Sequence, residues 1–108
     1  MFKGLGQMQQ LMQQAQKMNQ KITQLRQELD TRQESVTVGG GAVQVTVNGK
    51  LEVLSIKIDP GLLQTGDAQM VQDLVTTGVN EALQKIQKIV ATAMGEITGG
   101  MQLPGLGL

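Results

Sequence analysis

The chain has 108 residues, with nine Lys plus Arg balanced by nine Asp plus Glu, no His, Cys, Trp or Tyr, and a single Phe. That length holds one domain, and that composition excludes zinc fingers, thiolate clusters, imidazole metal sites, His-activated nucleophiles and disulfide frameworks. Without aromatic stacking platforms, any nucleic-acid partner is expected to be double-stranded, and a short chain with seven Met and one Phe is expected to complete its core across subunits.

Zero net charge hides an asymmetry: residues 1–27 carry Lys3, Lys17, Lys21 and Arg26 with no acid, whereas residues 28–108 carry five bases and nine acids. The basic segment has no Ser and runs unbroken into the body, unlike a transit peptide. No run of 18 apolar residues exists, so no membrane-spanning helix is predicted, and the absence of Cys and of a signal peptide gives the expectation of a soluble, cytoplasmic protein.

In chain order, Leu5 to Gln33 reads as a long helix. Apolar residues at Met8, Leu11, Ala15, Met18, Ile22, Leu25 and Leu29 step by three and four, the spacing of a heptad seam. From Ser35 the period changes to two, with Val36 and Val38, then Gly39-Gly40-Gly41, then Val43, Val45 and Val47, which predicts strands. Asn48-Gly49 marks a hairpin. A three-residue loop through Lys50, with Gly left-handed, would pair Val47 with Leu51 and Val45 with Val53. Leu54, Ile56 and Ile58 fall on the opposite parity to Leu51 and Val53, which requires a bulge or two covered faces. Asp59-Pro60-Gly61 ends the third strand. Asp67 is an N-cap for a second long helix from Ala68 to about Ile97, whose interior Gly78 implies close packing on another backbone. Gly99-Gly100 stops it, leaving 99–108 as a flexible tail after a single domain over 1–98.

Lys3, Lys17 and Lys21 form one stripe on the first helix, beside Gln13, Gln20 and Gln27 on the face opposite the seam. Lys neutralises phosphate and Gln can read adenine in a major groove, although both are also ordinary helix formers. Lys85 and Lys88 on the second helix are a further phosphate-binding pair, with Glu81 placed to bond Lys85 within the helix. Arg26 lies beside the seam, as an interhelical ion-pair or stem-packing residue. Three glycines between strands read as a turn and not a phosphate loop, which needs a following helix. Glu28, Asp30 and Glu34 read as solvated charge. No catalytic or metal constellation is present, so the chain is not predicted to be an enzyme, and no cofactor or small-molecule substrate is expected.

The sequence resembles the YbaB/EbfC family of bacterial nucleoid-associated proteins. The pieces that carry the likeness are Met1-Phe2 with Gly4-Leu5-Gly6, the Gly pair before the second strand, Val43-x-Val45-Thr46-Val47-Asn48-Gly49, Ile58-Asp59-Pro60 with Leu62-Leu63, Asp73-Leu74-Val75, Asn80-x-Ala82, and Gly100-Met101-Gln102-Leu103-Pro104-Gly105. They span nearly the whole chain. Two departures stand out, a small Ala42 and helices in which Gln replaces many charges. The resemblance implies an α+β fold with a long N-terminal helix, a three-stranded antiparallel sheet and a long C-terminal helix, forming a tweezer-like homodimer. It also implies a nucleoid-associated protein that binds double-stranded DNA with little sequence demand, organising the nucleoid or affecting gene expression. The alternative is a homodimeric adaptor that binds another protein through the Met-rich helix; a membrane-surface helix is disfavoured because only Phe2 could anchor it. The homodimer is expected to have no stable folded monomer.

Overall fold

The computed structural model of this chain describes residues 2–97, with side chains from Gly4 onward. Its elements in order are α1 (Phe2–Thr31), β1 (Gln33–Val38), β2 (Val43–Asn48), β3 (Val53–Ile58), α2 (Pro60–Gln64) and α3 (Ala68–Ile97). The tail expected over 99–108 lies outside the described residues. No described helix is long and apolar enough to cross a membrane.

The strands form one antiparallel sheet in the order β1-β2-β3. Alternation puts Val43, Val45 and Val47 of β2 on one face, where all three are fully buried with Ala82 and Ile86 of α3. Burying such a side chain contributes roughly 1.5–3 kcal/mol, so this small cluster is the main apolar anchor of the sheet. α3 lies across β1 and β2. It approaches closely because Gly78 has no side chain: a Cβ there would meet Val45 Cγ2 at 2.9 Å and Val38 Cγ2 at 3.4 Å. Its close neighbours are thus strand side chains and not the backbone expected from sequence. The capping expectation holds, since Met70 N–H donates to Asp67 Oδ1 at 3.0 Å.

The β2–β3 hairpin differs from the sequence expectation by one residue. Asn48 N–H donates to Glu52 O at 3.1 Å and Leu51 N–H to Asn48 O at 3.0 Å, so the loop is Gly49-Lys50-Leu51 and the left-handed residue is Leu51, at φ 63°. Asn48 determines this shift. Its Oδ1 accepts from the N–H groups of Lys50 and Glu52 at 3.0 and 3.1 Å, closing the turn from its first position. Val47 consequently pairs with Val53 and Val45 with Ile56, and a bulge leaves Leu54 as the extra residue. The parity conflict is resolved by that bulge, not by two covered faces.

The opposite face of the sheet carries Ser35, Thr37, Gln44, Thr46, Ser55 and Lys57, with Ser35 and Thr46 hydroxyls bonded at 2.7 Å. β3 has a different peculiarity. Val53 and Ile56 share the face of the buried valines yet are 42% and 41% exposed, because α3 covers β1 and β2 instead. Between β3 and α3 the chain makes a short helix, α2, where the sequence predicts only a turn. Asp59 caps it by accepting from Gly61 N–H at 3.4 Å, with Pro60 in the first position. Asp59 N–H also donates to Ala42 O at 2.8 Å, so the small residue at 42 contributes its carbonyl to tie the first hairpin to the end of β3.

Candidate nucleic-acid interface

α1 is built from Gln, Lys, Leu and Met, strong helix formers, and has no Pro and no Gly after Gly6. It ends at Thr31, two residues before the expected limit, because Gln33 is taken into the sheet opposite Asn48. Among the described residues only its last turns are held: Ile22, Leu25 and Leu29 turn inward, and α1 meets α3 and β2 there. Every described side chain from Gly4 to Lys21 is exposed. At 1.5 Å per residue this free segment is about 27 Å long.

The basic residues predicted to contact phosphate divide by this geometry. Lys17 and Lys21 lie one turn apart on the free arm, exposed, with Gln13 and Gln20 also exposed beside them. Lys3 belongs to the first turn of the same helix, and its side chain lies outside the described ones. Arg26 is exposed and forms no ion pair among the described residues of its own chain, so its expected role as an interhelical ion-pair or stem-packing residue has no intrachain partner.

Lys85 does not pair with Glu81 as its spacing suggested. Its Nζ lies 3.3 Å from Glu34 Oε2 and donates to Ser35 O at 3.2 Å, so it ties α3 to β1. Arg32 Nε donates to Glu34 Oε1 at 3.1 Å from the other side. Glu34 is therefore not the solvated carboxylate expected from its polar run: the Lys85 ammonium and then the Arg32 guanidinium hold it below the ordinary glutamate pKa. Its parity with Val36 and Val38 carried the signal, because that parity puts it on the helix side of the sheet. Lys88, three residues on, is exposed and is not drawn into this cluster. Among the predicted residues, then, the structure brings Lys17 and Lys21 together on the arm and leaves Lys85 and Lys88 on a separate element.

The Gly39-Gly40-Gly41 segment connects β1 to β2 with φ of 65°, 69° and 93°, a loop only glycine adopts without strain. No helix follows it, in agreement with its reading as a turn.

Residues 4–101 match the profile of the YbaB/EbfC DNA-binding family. The chain belongs to this family. Proteins named nucleoid-associated protein are similar to this YbaB/EbfC chain along most of its length. The one from Pelotomaculum thermopropionicum is 45% identical, covering 94% of this chain and 96% of its own length. One from Clostridium botulinum strain Eklund 17B is 48% identical over 91% of this chain and 87% of its own. The crystal structure of an uncharacterized protein from Helicobacter pylori shares the fold, with a TM-score of 0.71 at 22% identity, covering 82% of this chain and 94% of that one. The YbaB/EbfC chain is thus of a bacterial, nucleoid-associated, DNA-binding family, and its α+β order of helix, three strands and helix is the one the sequence resemblance implied.

Proposed function

We propose that this chain is a homodimer that binds double-stranded DNA in the bacterial nucleoid with little sequence demand. The observation that carries the reading is the free basic arm: from Gly4 to Lys21 α1 presents its side chains to solvent, and the charged side chains of residues 2–21 are Lys3, Lys17 and Lys21, with no acid among them. Exposed Lys on a helix neutralises phosphates without reading bases, and affinity then follows counterion release. Lys88 is a secondary phosphate contact in this reading. Lys85 contributes positive charge nearby while its hydrogen bonds go to its own chain. The reading assigns no chemistry to the protein and makes residues 1–98 one working domain.

Support for the second subunit comes from β3. A strand whose Val53 and Ile56 lie on the core side but outside the cover of α3 calls for an apolar surface from another copy, and a chain with so few buried side chains gains most from supplying it.

The test is duplex binding by the variant Lys17→Ala with Lys21→Ala, measured at several salt concentrations. Each phosphate contact contributes about 0.9 to the slope of log affinity against log salt, and a dimer loses four lysines, so the slope should fall by roughly 3–4 in every sequence tested. An unchanged slope and affinity would reject the arm as the binding element.

A further inference from the structure

One surface of the arm is covered by no described part of the fold and carries none of the lysines proposed to contact DNA. Leu5, Met8, Leu11, Met12, Ala15 and Met18 form a continuous stripe, and its five large side chains are 42–64% exposed. The stripe is the outer half of the heptad seam whose inner half, Ile22 to Leu29, turns toward the body of the protein. We infer that it is covered by the same stripe of a second homodimer, the two arms lying antiparallel so that dimers are linked arm to arm. The inference rests on the homodimer proposed above.

Charge and register favour another copy of this chain as the occupant. Between Gly4 and Gln16 there is no charged residue, so nothing on the flanks repels an identical helix or selects a partner of opposite charge. In the antiparallel register centred on residue 13, Met8 packs against Met18 of the second copy and Leu11 against its Ala15. Large residues thus meet small or flexible ones, and the two Met12 side chains meet at the two-fold axis. Lys21 then faces Gln7 of the second copy. A parallel pair would instead bring Lys21 beside Arg26 of the second copy, twice, and would crowd both bodies at one end. The antiparallel pair places the two sheets about 54 Å apart, at 1.5 Å rise per residue, and keeps Lys17 on the outer side of each arm.

The contact is small. Six residues a side fall well short of the 20–30 of a stable specific interface, so a single arm pair is weak. A homodimer with two arms, concentrated along a duplex, gains from multivalency, and the linkage would bridge DNA segments.

Sedimentation of the full-length protein over the micromolar range tests this. Wild type should pass from two chains to four as concentration rises, and Met8→Gln with Leu11→Gln should abolish the step while leaving the two-chain species and its helical content unchanged. The chain has no cysteine, so Met12→Cys introduces a unique thiol. A short bis-maleimide should cross-link it roughly tenfold faster than Gln13→Cys, whose side chain lies on the outer face. Wild type that stays at two chains, with no preferential cross-linking at position 12, would overturn the inference. A chain ended at Ile97 that associates when the full chain does not would also overturn it, by assigning the stripe to residues 98–108. Cross-linking at position 12 within a species that never exceeds two chains would overturn the linking of dimers and move the homodimer interface from the sheet to the arms. Loss of DNA binding in the lysine variant does not affect these readouts, so the two proposals fail separately.

Discussion

Gly49 shows how a correct motif can have a different physical cause. In a two-residue Asn-Gly hairpin the glycine is selected for positive φ, but here the left-handed residue is Leu51. What requires glycine at 49 is the end of α1: a Cβ at this position would overlap the Leu29 carbonyl oxygen and come within 2.5 Å of its carbon. Backbone cannot yield as a side-chain tip can. Gly49→Ala is therefore expected to destabilise the protein by about 2–3 kcal/mol, the range of a severe steric or strain defect, as read by urea denaturation. Gly49→Asn should cost as much or more, although Asn tolerates left-handed backbone. Tolerance of Asn at 49 would show that φ, and not the approach to α1, is what matters.

At the scale of elements, β1 and α3 are joined at one end by charge and not by apolar packing. Glu34 occupies a core-side position where Val would otherwise continue the row of Val36 and Val38, and it is held by Lys85 and Arg32. Its pKa is lowered, mainly by the Lys85 hydrogen bond. The stability it contributes is consequently present above the ordinary glutamate pKa of about 4.3 and is lost as pH falls through the lower folded value. Both cations are about half exposed, so the contribution is small, no more than about 1 kcal/mol. Glu34→Gln should be slightly less stable than wild type at neutral pH and should converge with it on acidification. A difference that persists undiminished at pH 3, by thermal unfolding, would mean the carboxylate charge is irrelevant. The same ion pair bears on DNA binding, since Lys85→Ala should lower stability along with any change in affinity, whereas Lys88→Ala should not.

For the whole molecule, the decisive feature is how little the described fold buries: six hydrophobic side chains form the core, while Val53 and Ile56 of β3 and the stripe of α1 remain open. Ile56→Asp tests whether β3 faces a second subunit. Within one chain Ile56 is exposed, so a carboxylate there would be nearly harmless; in a dimer it would be an unpaired buried charge. The variant is expected to lose the dimer and, because the monomer lacks a sufficient core, most of its cooperative unfolding. A dimer of wild-type stability, by sedimentation and denaturation, would exclude this face from the interface.

The order of elements was legible in the sequence because it rests on local rules. Period 3.5 over Met8 to Leu29, period two over Val43 to Val47, the Asp67 cap and the Asp59-Pro60 stop each act within a few residues, and each is present in the fold. So was the basic, acid-free arm, since charge is additive along a helix. What local rules do not reach is pairing across the chain. The loop register turned on Asn48 bonding two N–H groups, which moved the closing pair to Glu52 and let a bulge at Leu54 reconcile the parity. Lys85 had two acids within reach, and tertiary packing chose Glu34, fifty-one residues away in sequence, over Glu81 on its own helix. Gly49 and Gly78 are required by approaches that exist only once α1 and α3 are placed. The sequence alone determined which segments are helix, strand and basic arm, because their causes are local; the tertiary structure decided which side chains are held and which stay free, because burial depends on what lies opposite.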